Sequence, residues 1–115
     1  MVDMKELRIG NYLMIDGTAL PIGAGWFCLA DRPHSIPEHK AIPITPEWLE
    51  RMGFVKNRIG DYGIGNTFVF PYTNPGEWFV TFSPDKGGTA VRYVHQLQNI
   101  YYAMIGKELE IKETV

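Results

Sequence analysis

The chain has 115 residues, 45% hydrophobic and 21% charged, ordinary globular usage that fits one domain able to fold without a metal or disulfide. Eleven Lys and Arg stand against 13 Asp and Glu, a net charge of -2 that argues against a grip on long DNA or RNA. No apolar run approaches the roughly 18 residues that cross a bilayer, and with one cysteine, Cys28, and charges scattered through Met1 to Ile9, a reducing cytoplasm without membrane or export is expected.

Leu7 to Ile22 reads as a hairpin. Asp16-Gly17 supplies the positive φ angles of a two-residue turn, Tyr12 to Ile15 is an extended apolar arm, and Pro21, lacking an N–H, ends the second arm or marks it as an edge. Trp26 to Ala30 is expected as a third strand, giving an SH3-like opening. Asp31 to Pro43, with three prolines, His34 and His39, reads as a surface loop.

The clearest short helix spans 46–52. Thr45 is its N-cap, Pro46 its first helical residue and Gly53 its left-handed exit, while Ile44 and Leu49 form a hydrophobic staple. Three strands of a meander follow, Phe54 to Lys56, Thr67 to Tyr72 and Trp78 to Phe82, with a turn at Thr73 to Gly76 and with Gly60, Gly63 and Gly65 marking the first connection.

A long C-terminal helix is expected over 90–105, capped by Thr89 and ended by Gly106. Tyr93, Val94, Leu97, Ile100, Tyr101, Met104 and Ile105 form its apolar stripe, which leaves Arg92, His95, Asn99 and Tyr102 on the opposite side. Leu109 to Ile111 reads as a short edge strand. The expected fold class is α+β: a small curved antiparallel sheet, with the N-terminal hairpin and the meander, against one short and one long helix.

No catalytic constellation is visible, and no motif requires a cofactor or a metal. Cys28 between two apolar residues suits an inert thiol better than a nucleophile. Cys28, His34 and His39 have no zinc spacing, and Gly60, Gly63 and Gly65 lie between strands rather than before a helix, where a phosphate loop would stand. Trp26, Trp48 and Trp78 are expected in the core or at a dimer contact. Lys86, Gly87, Gly88 and Thr89, leading into the expected helix, form a candidate anion seat of free N–H groups and one lysine. Arg92, His95, Asn99 and Tyr102 continue that surface with the mixture of groups that recognises a nucleotide or a protein partner.

Three stretches, Glu6 to Tyr12, Ala41 to Phe54 and Tyr93 to Glu110, together resemble a group of small proteins encoded in phages and prophages of gut bacteria, for which no activity is assigned. The resemblance implies the host bacterial cytoplasm and an accessory role. The leading expectation is a non-enzymatic binding protein that counters host defence by sequestering a small cyclic nucleotide. The alternatives are an interaction module or homodimer that blocks a host protein, and a nucleotide hydrolase built on His95 with a carboxylate brought near by folding.

Overall fold

The computed structural model describes residues 6–28, 39–83 and 87–112. The fold is α+β, as expected. Its elements are β1 (Tyr12–Ile15), β2 (Thr18–Pro21), α1 (Ala24–Cys28), β3 (His39–Lys40), α2 (Pro46–Arg51), β4 (Val55–Lys56), β5 (Tyr62–Ile64), β6 (Thr67–Pro71), β7 (Trp78–Ser83), β8 (Gly87–Val91) and α3 (Val94–Ile105). Two antiparallel sheets form, a three-stranded one in the order β2-β1-β3 and a five-stranded meander β4-β5-β6-β7-β8. Among the described residues no helix is long and apolar enough to cross a membrane.

The hairpin forms where its turn chemistry places it. Asp16 and Gly17 both take positive φ, 50° and 85°, which matches the twist of the two arms, and β2 ends on Pro21. The third strand differs from the expectation. Trp26 lies in the helical turn α1, and the strand beside β1 is His39–Lys40, pairing Ile15 with His39. A short aromatic run has no period long enough to separate helix from strand, and the outcome is set by packing. The turn seats the Trp26 ring among Leu7, Leu13 and Ile22, edge-on to His39 at 4.9 Å. Residues 31–38 of the proline-containing stretch, with His34, lie outside the described residues; the rest is no surface loop, since His39 and Ile42 are buried and Pro43 bridges Tyr93.

α2 matches its sequence signature. Thr45 accepts a hydrogen bond from the Trp48 N–H at 3.2 Å, and Ile44 and Leu49 are both buried at the staple. Gly53 exits at φ 94°, with its N–H on the Glu50 carbonyl and the Phe54 N–H on the Leu49 carbonyl, a paired closure that satisfies the last free carbonyls of the helix.

The meander has two strands more than expected, and both contain glycine. Tyr62–Ile64 and Gly87–Val91 pair with β6 and β7, so the glycines at 63 and 88 lie inside strands. Thr89 therefore caps no helix. α3 begins four residues later than expected, after Tyr93, where Gln96 Oε1 accepts the N–H groups of Arg92 at 2.9 Å and Tyr93 at 3.2 Å. It ends at Gly106, φ 83°, as expected.

The main core lies between α3, α2 and the inner face of the five-stranded sheet, where Val69, Val80, Val94, Leu97 and Leu49 are sealed from solvent. β1 joins it to the smaller cluster by strand alternation: Tyr12 and Met14 pack on the main core, and Leu13 and Ile15 on the group around Trp26. Trp26, Trp48 and Trp78 are all buried, which settles them as core residues. Leu109 to Ile111 forms no strand. It passes α2 instead, with the Lys112 N–H on the Arg51 carbonyl and the Arg51 Nε on the Lys112 carbonyl, both at 2.8 Å.

Candidate functional site

The residues expected to share one anion-binding surface fall in two places. Gly87, Gly88 and Thr89 lie in β8 and offer no helix start, and Arg92 follows them at the margin of the sheet, 3.1 Å from Glu77. Lys86 lies outside the described residues. His95, Asn99 and Tyr102 lie on α3 beneath the N-terminal segment 6–11, so Arg92 and His95 do not share a face.

β8 borders a surface that the sequence reading missed. In the five-stranded sheet every second residue points inward, so Val69 and Val80 are buried while Phe68, Phe70 and Phe79 stand on the outer face. The register pairs Phe70 with Phe79 and Phe68 with Thr81, which aligns the rings across β6 and β7. Tyr72 stacks on Phe79 at 4.8 Å and 29°, and Phe70 leans on it at 5.7 Å. Phe68 and Tyr72 are 39% and 45% exposed, enough for a planar ligand to reach both rings.

The two strand glycines explain how the rings lie. A Cβ on Gly63 would meet Phe68 at 3.1 Å, and one on Gly88 would stand 2.5 Å from Phe79 Cε2. Each ring thus rests over bare backbone, which glycine alone permits at position 88 and which at position 63 a side chain would disturb only if the Phe68 ring did not give way. Arg92 and Glu77 form an ion pair at the edge, next to Tyr72 through the hydrogen bond from the Tyr72 N–H to the Glu77 carbonyl. The available sequence signal was the alternation itself, with aromatics at positions 68, 70 and 79 out of phase with Val69 and Val80.

The second place is polar. Arg8 lies over the Tyr102 ring at 4.4 Å, pairs with Glu108, and donates through Nε to Asn99 Oδ1 at 2.8 Å. Asn99 Oδ1 also accepts from Asn11, and its Nδ2 donates to the Glu6 carbonyl at 2.6 Å. Gln98 accepts from the Tyr12 N–H and donates to the Gly10 carbonyl. The expected outward face of α3 is therefore covered by the N-terminal segment at His95 and partly at Asn99, while Tyr102 is exposed as expected; His95, expected in solvent, is 1% exposed.

Folding does bring a carboxylate to His95, as the hydrolase alternative required: Nε2 is 3.6 Å from Glu6 Oε1. The shallow depression beside them is lined by Glu6, His95, Gln96, Asn99, Ile100 and Ala103, none of which is a hydroxyl or thiol nucleophile. Among the described residues no group of three His, Cys, Asp or Glu could hold a metal.

Burial pushes the His95 pKa below its ordinary 6.5, and the Glu6 carboxylate opposes this without overcoming it. The unfolded chain therefore binds more protons at His95 than the folded one in mild acid. The stability this site provides is complete above about 6.5 and is lost as pH falls through the lowered folded value. Thermal melts between pH 7.5 and 5 should show wild type losing more stability than His95→Gln. Equal losses would mean that His95 stays solvated in the folded state.

No family model matches the chain, and neither curated proteins nor solved structures show a significant match to it.

Proposed function

We propose that this chain is a non-enzymatic binding protein whose recognition surface is the outer aromatic face of the five-stranded sheet, and that its ligand is a small nucleotide. The observation that carries this reading is the set of rings at Phe68, Phe70, Phe79 and Tyr72 on one face, Phe68 and Phe79 against strand glycines and Phe68 and Tyr72 open to solvent. A base stacked on an aromatic side chain contributes about 1–3 kcal/mol, whatever its identity. Arg92, half exposed at the margin, suits one phosphate, because its planar guanidinium presents paired donors.

Size supports a small ligand. Five strands of two to six residues, about 4.8 Å apart, make a face of roughly 300 Å², whereas a stable protein interface takes roughly 800 Å² from each partner. Charge supports it as well, since among the described residues the ion pair at this border is Arg92 with Glu77, which suits one phosphate rather than a polyanion. The resemblance to phage-encoded proteins gives the binding a purpose, the sequestering of a cyclic nucleotide signal used in host defence.

Isothermal titration against cyclic mono- and dinucleotides tests the proposal. Saturable heat is expected for at least one, roughly ten-fold weaker in Phe68→Ser and Tyr72→Ser, each of which loses about one stacking contact. Absence of heat across the panel refutes the nucleotide reading.

One observation favours a second reading, a contact with a second copy or a host protein. Val55, paired with Gly63 and so in the row of Phe68, is 71% exposed and extends the apolar face past the rings. Under that reading, light scattering shows a mass that rises with concentration and falls back in Val55→Lys. A constant monomeric mass opposes self-association.

A further inference from the structure

The aromatic face makes no use of His95, because α3 lies against the opposite side of the sheet. His95 is buried, and neither ring nitrogen has a hydrogen-bond partner among the described residues. Native proteins rarely leave such groups unpaired, and one beside an opening marks a place where something else completes the bonding. The opening is a depression of about 320 Å³, walled by successive turns of α3 at Gln96, Asn99, Ile100 and Ala103 and bordered by Glu6.

The charges around it do not cancel. Arg8, the cation on the same segment, is committed to Glu108 and Asn99. Among the described residues the half-exposed Glu6 carboxylate has only His95 as an ion-pair neighbour, at 3.6 Å, a gap too wide for a direct hydrogen bond. Because the imidazole nitrogens are buried, a nitrogen donor reaches both groups at ordinary hydrogen-bond length only as the half-exposed Glu6 side chain moves outward to admit it. Burial favours the neutral imidazole, which keeps a lone pair on one nitrogen.

We infer that the Glu6–His95 depression binds a primary ammonium group carried on an apolar stem. One N–H donates to the Glu6 carboxylate and a second to the imidazole lone pair, while the stem lies along Ile100 and Ala103. A hydroxyl fits the same gap but leaves the Glu6 charge unbalanced, so the ammonium makes the stronger, charge-assisted bond. The group can come from a free amine or from a lysine side chain on another protein.

The test is the imidazole ¹⁵N spectrum of the full chain at pH 7.5, titrated with n-butylammonium. Saturable movement of the His95 resonances is expected, and Glu6→Gln, a change at a half-exposed position that keeps the side chain's shape, should weaken it roughly ten-fold or more. Tetramethylammonium, which has the charge without N–H donors, and n-butanol, which has the stem without the charge, should leave those resonances in place. Motionless His95 resonances, equal movement with n-butanol, or undiminished binding to Glu6→Gln would each overturn the inference. Because no nucleotide enters the titration, its result is independent of the aromatic face. Spermidine binding more tightly than Nα-acetyl-lysine amide identifies a free polyamine as the source, and the reverse order identifies a partner's lysine.

Discussion

Gly88→Ala is expected to destabilise the fold by roughly 3 kcal/mol, the upper part of the range for overpacking a tight interior. The substitution looks favourable by propensity, because replacing glycine in an unstrained position stabilises by about 0.4–1 kcal/mol through the unfolded chain. Here a Cβ would press on the Phe79 ring at 2.5 Å and lie closer still to the Val80 carbonyl oxygen. A ring can swing aside, but a carbonyl in the neighbouring strand moves only if the β7–β8 pairing gives. Gly25 in α1 is the control: nothing stands within 4 Å of the Cβ it would gain, so Gly25→Ala should be neutral or slightly stabilising. Urea unfolding followed by tryptophan fluorescence reads both changes. A Gly88→Ala protein as stable as wild type would mean that β8 does not lie this close to β7, and the ring platform resting on that strand would lose its base.

The same glycine shows where sequence reasoning reached and where it stopped. Features encoded locally were legible: Asp16-Gly17 set the hairpin turn, and Thr45, Pro46 and Gly53 set both ends of α2. Gly87-Gly88-Thr89 reads locally as an approach to a helix, whereas in the fold it is a strand that makes room for a neighbour's ring. Only the position of Phe79, eight residues or more away in the chain, separates them. A glycine's reason for being a glycine lies in its spatial neighbour, and no local window contains that. The aromatic face was legible in part, since Phe68 and Phe70 alternate with the buried Val69. What hid it was the habit of assigning aromatics to the core, which holds for Trp26, Trp48 and Trp78 but not for Phe68 or Tyr72.

The error on α3 has a different cause, and it yields the second large prediction. A helical wheel assumes that a helix is covered from one side, and on that assumption Leu97 and Met104 belong to one buried stripe while His95 faces water. In the fold α3 is covered from two sides at its beginning, by the sheet and by residues 6–11, and less fully in its last turn. Leu97 is 0% exposed, whereas Met104 is 40% exposed. Leu97→Ala should therefore cost roughly 3 kcal/mol, the lost transfer energy plus the cavity left behind. Met104→Ala should cost roughly 1 kcal/mol, since Met104 keeps 40% of its surface in water and its truncation leaves no enclosed cavity. Loss on the first scale is a large share of the roughly 5–15 kcal/mol that holds a domain of this size together. Chemical denaturation of the two variants, compared at equal slope, measures the difference directly. If Met104→Ala cost as much as Leu97→Ala, the last turn of α3 would lie in the core. The helix would then be rotated or shifted from its present seat, and His95 would return to the solvent side, away from Glu6. The contrast between two residues of one sequence stripe thus tests the burial of His95 without touching it.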